Sequence, residues 1–317
     1  MVNKKQEPKV GLVSDLVRQY LRTTDFRIER ERSGVSTYVY RINANDEVFY
    51  LRILPEQDMS FAPEVYVHQL LRKKGVQVPE VLHFEPVHEE LGLSVMLVRE
   101  IPGAHAGRVT SQESYERVML DAGSQIALVH GIPVEGFGWI RRGREEDKSV
   151  LRGENRSADE QLLEFLEDDV QFLSEKLINK EEASIIRRIM ERGLPLMSRY
   201  EPRLVHGDFD DSHIFQDNGT YTGIIDFGEI QGSSPLYDLG HFKLHDGQRY
   251  KGFPALVEGY QSVVPLTAWD QLEIDLWAVW IGVRRLGIVA RRSPDADYVH
   301  QLLNRVREVF GVVSRQL

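Results

Sequence analysis

The chain has 317 residues, enough to bury a large core in one large domain or two modest ones. Its 42% hydrophobic and 28% charged content is that of an ordinary globular protein, and its net charge of −10 argues against a nucleic-acid partner, which selects a basic surface. The absence of cysteine excludes disulfides, thiolate metal sites and cysteine nucleophiles.

The N-terminal MVNKKQEPKVG has lysines but no apolar stretch after them, so no signal peptide is expected. No apolar run reaches the roughly 18 residues that a membrane helix needs, so the chain reads as cytoplasmic, with no membrane partner. Residues 12–24 place apolar side chains at helical spacing and predict a leading helix. Residues 26–54 are rich in β-branched and aromatic side chains and are broken at Ser33-Gly34 and at Asn43-Ala44-Asn45-Asp46. They predict three antiparallel strands. Residues 62–75 predict a helix stopped by Gly75, and two further strands follow at 79–84 and 93–98. Ile101-Pro102-Gly103 interrupts the pattern like a hinge, dividing the chain into 1–101 and 102–317. The first part is a small lobe with a mostly antiparallel sheet.

Beyond the hinge the chain turns mainly helical. Residues 111–130 predict an amphipathic helix begun by Ser111, and 140–156 are charged and glycine-dotted, as an exposed loop would be. One helix is expected from 157 to 177 and another from 181 to 200, and three more near 253–263, 267–291 and 297–314. Trp277, Trp280 and Phe253 read as core. The segment 154–182 carries ten acidic residues against three basic ones, which suits a solvated helix face or a docking surface for a cationic ligand.

Between these helices lies LVHGDFDDSHIF, residues 204–215, with His206, Asp208, Asp210, Asp211 and His213 in one short run. Carboxylates and imidazoles at that spacing can bind a metal, move a proton or decorate a turn. Asp217-Asn218-Gly219 is a hairpin signal, and GIIDFGE then puts Asp226 at the end of an apolar strand. The hairpin would bring the 208–213 loop near Asp226. Carboxylates held together repel and need a cation or a proton, so a magnesium site shared with phosphates fits them. A carboxylate left unmetallated can accept or orient a hydroxyl proton.

Taken together, SGVSTYVY, LRILP, PEVYVHQLLRKKGVQVPEVL, REIPG, SQIALVHGIPVEGFG, LVHGD, IIDFGE and SPLYDLG, in this order and spacing, resemble the aminoglycoside phosphotransferase family over nearly the whole chain. The resemblance implies an α+β, protein-kinase-like two-lobe fold. Its N-terminal lobe, 1–101, would bind nucleotide, and its larger helical lobe, 102–317, would hold the catalytic loop and the acceptor. It implies transfer of the γ-phosphoryl group of ATP or GTP to a hydroxyl of a small molecule, with an antibiotic such as an aminoglycoside as the leading acceptor. The acidic segment favours a cationic one. By the same resemblance Asp208 is the catalytic aspartate, and Asp226 holds magnesium. Ser33, Gly34, Ser36 and Thr37 lie in the phosphate-covering turn, Arg99, Glu100 and Ile101 offer backbone to adenine, and Glu64 braces the phosphate-contacting residue.

Two positions depart from the family pattern. Arg52 stands where lysine is usual and keeps the charge with a different geometry. His213 stands where a metal-ligating asparagine is usual, and neutral imidazole prefers borderline metals, so manganese joins magnesium as a candidate. Three rival readings follow: a small-metabolite kinase of the choline or homoserine kind, a nucleotide-binding fold without catalysis, and a metallohydrolase built on His206, Asp208, His213, Asp226 and the His241–His245 pair. The last requires a helix through His245, which LGHFKLHDG does not promise. Asp238 in SPLYDLG reads as a structural tie, and His206 as a brace of the loop backbone.

Overall fold

A computed structural model describes residues 5–32, 36–144, 149–247, 249–293 and 296–317. The chain forms two compact units. The first comprises Met1–Pro102 with Arg141–Leu151 and Gly223–Ile225, and the second comprises Gly103–Ile140, Arg152–Thr222 and Asp226–Leu317. The second unit begins at Gly103, and two later segments group with the first.

In the first unit the elements are α1 (Val10–Leu21), β1 (Phe26–Glu31), β2 (Tyr38–Ala44), β3 (Glu47–Ile53), α2 (Ala62–Lys73), β4 (Val81–Glu85) and β5 (Val95–Arg99). The strands form one antiparallel sheet in the order β1-β2-β3-β5-β4. Asn45 and Asp46 both take positive φ, at 52° and 61°, which is the backbone of a two-residue hairpin turn. Strand alternation then sorts the side chains of β3. Phe49, Leu51 and Ile53 face α1 and pack with Val13, Leu16 and Val17. Arg52 points to the opposite face, where Phe61 and Val65 at the start of α2 pack on Met96. This two-residue period is what delivers Arg52 to Glu64.

In the second unit the elements are β6 (Ala104–His105), α3 (Gln112–Val129), β7 (Phe137–Ile140), β8 (Gly153–Asn155), α4 (Ala158–Leu163), α5 (Leu166–Lys176), α6 (Lys180–Met197), β9 (Arg203–Val205), β10 (Ile214–Asp217), β11 (Thr220–Ile224, whose last two residues group with the first unit), β12 (Gln231–Ser233), α7 (Tyr237–His245), α8 (Phe253–Gln261), α9 (Ala268–Arg292) and α10 (Asp297–Val313). Helix α9 is the axis of the bundle, with Ile274, Leu276, Trp277 and Val279 fully or almost fully buried. Thr267 and Asp270 cap it reciprocally. The strands are short and form two small sheets, β11-β10-β6 and β8-β7-β12-β9.

Three expectations change. The helix read across 157–177 breaks at Phe165, whose φ of −121° and ψ of −6° are not helical, giving α4 and α5. The loop read across 140–156 contains β8 and buries Leu151 and Gly153; a three-residue strand is too short to leave a periodic signal. Helix α7 runs through His245, so His241 and His245 do share a helix face. Three of the ten acidic residues in 154–182 are held in ion pairs, Glu167 with Arg187, Asp169 with Arg284 and Arg291, and Glu182 with Arg307.

Candidate active site

Strand β9 delivers the chain into the loop at His206, which is fully buried. Asp238, in the first turn of α7, accepts hydrogen bonds from His206 N at 2.7 Å and Gly207 N at 2.9 Å, and its Oδ2 lies 2.9 Å from His130 Nε2. One buried carboxylate thus satisfies two loop amides and a histidine. Burial pushes the Asp238 carboxyl up, but His130 and the loop outweigh it and hold the group below its ordinary value. Gly207 has φ +87°, and a Cβ there would lie 1.9 Å from Glu229 O, so only glycine fits the turn. These contacts bear out the structural reading of Asp238 and His206.

The loop presents Asp208 to three cationic or titratable neighbours. Arg285 Nη1 donates to Asp208 Oδ1 at 2.8 Å, His241 Nε2 lies 3.2 Å from the same oxygen, and His213 Nδ1 lies 4.0 Å from Oδ2. Burial raises the Asp208 carboxyl, yet His241, Arg285 and His213 together drive it well below the carboxylate range. Asp208 is therefore ionised at any working pH. His213 Nδ1 sits 2.7 Å from Asp208 O, which fixes the tautomer as the Nδ1–H donor. Its Nε2 then turns toward Asp226 Oδ2 at 4.0 Å. Two ligand–metal distances of ~2.1 Å span such a gap, so the pair fits a shared divalent ion. Asp226 takes the left-handed conformation at φ 62°, and its side chain is half exposed.

In the first unit Arg52 is paired with Glu64, whose side chain is fully buried, and stacks over Phe61 with its guanidinium carbon 5.3 Å from the ring centroid. Arg142 approaches the second Glu64 oxygen at 3.9 Å. An arginine in place of lysine thus retains the expected carboxylate partner.

The profile of the phosphotransferase enzyme family matches residues 27–273. The chain belongs to that family. No curated protein matches the sequence. Among solved structures, aminoglycoside phosphotransferase APH(4)-Ia aligns with a TM-score of 0.70 at 14% identity, covering 95% of this chain and 98% of that one. The GDP complex of wild-type aminoglycoside 2'-phosphotransferase-IIIa gives 0.66 at 17% identity, covering 96% and 99%. A GDP and kanamycin complex of APH(2")-IIIa gives 0.65 at 19% identity, with the same two coverages, 96% and 99%. At these identities the likeness shows the fold, a kinase-like phosphotransferase fold with an antiparallel-sheet part and a helical part.

Several of the residues named from sequence lie close together in this phosphotransferase. Asp208, His213 and Asp226 are gathered in the second unit, and Arg52 and Glu64 in the first. Ser36 is exposed and Thr37 buried, while Ser33 and Gly34 lie outside the described residues. Arg99 N donates to Glu80 O at 2.9 Å and Glu100 N to Val48 O at 3.0 Å. Two of the three hinge amides are thus used within the first unit, and among the described residues no backbone carbonyl takes that of Ile101.

Sequence reasoning missed His241 as a partner of Asp208 and missed Arg285 altogether. Its trace in the sequence was Arg284-Arg285 interrupting the apolar stretch 276–290. A cavity of about 400 Å³ opens beside Asp208. Trp139, Phe165, Trp280 and Ile288 give it apolar walls, and Arg284, Arg285 and Arg292 line it together with Glu164, Asp208 and Glu229. Trp280 is core as expected, and it lines this cavity as well.

Proposed function

We propose that the chain transfers the γ-phosphoryl group of ATP or GTP to a hydroxyl of a small molecule held in the cavity beside Asp208. The observation that carries this reading is the convergence of an ionised Asp208 with a His213–Asp226 pair spaced for one divalent ion. A bound magnesium or manganese ion would supply charge neutralisation to the phosphates, held by His213 Nε2 and Asp226. The protein's own groups do the rest. Asp208 is too weak a base to remove a hydroxyl proton early. It accepts the hydrogen bond of the acceptor hydroxyl, orients it, and takes the proton only as the new bond forms. Arg285 and His241 fix the carboxylate rotamer for that task. Arg52, held by Glu64, offers a guanidinium to phosphate oxygens. The Ile101 amide and the backbone carbonyls around it are the groups offered to adenine.

Structural neighbours solved with kanamycin, or with ADP and hygromycin B, support an antibiotic acceptor. The cavity favours a particular kind. The three arginines of its lining are balanced by Glu164, Asp208 and Glu229, and its aromatic walls favour an acceptor with an apolar face. An aminoglycoside with few ammonium groups, or a neutral hydroxylated antibiotic, suits those walls.

Calorimetric titration of ATP and GTP, with magnesium, manganese or neither, is the test. Binding that requires the metal is expected. Asp208→Asn should abolish turnover and leave nucleotide binding intact, while Asp226→Asn should weaken the metal–nucleotide complex. No nucleotide binding under any condition would leave only the fold and overturn the catalytic reading. Equal loss of binding in both variants would overturn the division of roles.

A further inference from the structure

Asp210 and His245 have no part in the reaction proposed above, yet they sit in its immediate surroundings. Helix α7 continues through His245, so His241 and His245, four residues apart, share one face. Their rings lie 4.5 Å apart, tilted by 33°. Each ring is braced through Nδ1 by a backbone carbonyl, His241 by Phe209 O at 3.0 Å and His245 by His241 O at 2.9 Å. Donation from Nδ1 leaves the Nε2 lone pair of His245 available, while His241 Nε2 lies 3.2 Å from Asp208 Oδ1. The Nε2 of His245 is buried and finds no hydrogen-bond partner among the described residues, a costly state for a polar atom. Asp210 is braced in turn, its Oδ1 accepting from Ser212 N at 2.8 Å and Ser212 Oγ at 2.5 Å. One ligand atom from each of Asp210, His241 and His245 lies within 4.8 Å of the others.

Histidines that donate Nδ1–H to carbonyls, beside a carboxylate that is itself hydrogen-bonded, make up the outer shell typical of a metal centre. We propose that Asp210, His241 and His245 form a second cation site, separate from the His213–Asp226 pair, that takes a borderline divalent ion of the zinc or cobalt class. Two imidazoles and one carboxylate select such an ion over magnesium. The site ties the 208–213 loop to α7. Asp208 Oδ1 at 3.2 Å and Arg285 Nη1 at 3.4 Å compete for His241 Nε2, and both can yield because each retains the other as a partner.

The experiment is titration of the metal-stripped full chain, without nucleotide, by Zn²⁺ in a calorimeter and by Co²⁺ with its visible ligand-field absorption as readout. In the His213→Ala chain, which lacks the other divalent site, one equivalent should bind, with the intense bands of a low-coordinate nitrogen-containing site. Adding His245→Ala to that chain should weaken binding by more than about tenfold. Circular dichroism establishes that each variant is folded. Should His245→Ala not fold, electron paramagnetic resonance of the Cu²⁺-loaded His213→Ala chain decides instead, where coupling to two imidazole nitrogens is expected. The proposal is overturned if the chain binds no Zn²⁺ or Co²⁺, if His213→Ala abolishes binding while His245→Ala does not, or if fewer than two imidazoles couple.

Discussion

Asp238 shows how much one carboxylate can hold at the scale of a residue. It closes the His206–Gly207 turn and meets His130, all out of contact with water. Its folded-state pKa is depressed, so its stabilising contribution is complete above the unfolded value of ~3.9 and is lost as pH falls toward the folded value. Asp238→Ala should cost about 3 kcal/mol or more near neutral pH, because His130 and two loop amides lose their acceptor. Urea unfolding measured from neutral pH down into the acid range should show a flatter pH dependence below about pH 4 for the variant than for the parent. Parallel curves would show that Asp238 carries no linked proton. The position was legible in SPLYDLG as a structural tie. Its partner His130 was not, because 108 residues separate the two in the chain.

At the scale of elements, helix packing is decided by glycines whose importance a sequence period does not reveal. Helices α3 and α8 approach so closely that a Cβ on Gly123 would lie 2.0 Å from Leu256 O, and one on Gly259 would lie 1.9 Å from Leu120 O. Gly259→Ala should force the helices apart and lower stability by about 1–3 kcal/mol. Gly11 in α1 and Gly311 in α10 have nothing within 4 Å of such a Cβ. Alanine at either position should stabilise its helix by up to about 1 kcal/mol. Denaturant midpoints of the three variants check the contrast, and equal shifts in one direction would refute it. The boundaries of α8, α9 and α10 were readable because each has strong caps or a clear apolar stripe. The break between α4 and α5 was not, since Glu164-Phe165 carries no glycine or proline to announce it.

At the scale of the whole molecule, charge bears on the choice of acceptor. The chain carries −10 overall, and three of the ten acidic residues in its longest acidic stretch pair with arginines from α6, α9 and α10. Surface and half-buried pairs of this kind add little to stability, but they weaken the local field that a cationic ligand would feel. The cavity beside Asp208 has as many carboxylates as arginines in its lining, so an acceptor held by its aromatic walls should keep most of its affinity from low to high salt. Tight binding of kanamycin, used as a polycationic probe, that falls steeply with salt would favour the cationic acceptor instead. No helix among the described residues is long and apolar enough to cross a membrane.

By itself the sequence determined the antiparallel five-strand arrangement, the helical second part, the hairpin at Asn218-Gly219 and the identity of Asp208 and Asp226 as the acidic stations. Each of these rests on local rules: a two-residue or 3.6-residue period, a turn dipeptide, or a short motif whose residues are neighbours in the chain. Tertiary structure alone decided that Arg285 and His241 clasp Asp208, that His213 turns one nitrogen toward Asp226, and that three acidic residues of the 154–182 segment meet arginines from other helices. Those outcomes depend on side chains brought together across as many as 125 residues by packing of helices, and no local pattern records which partner a buried charge will find.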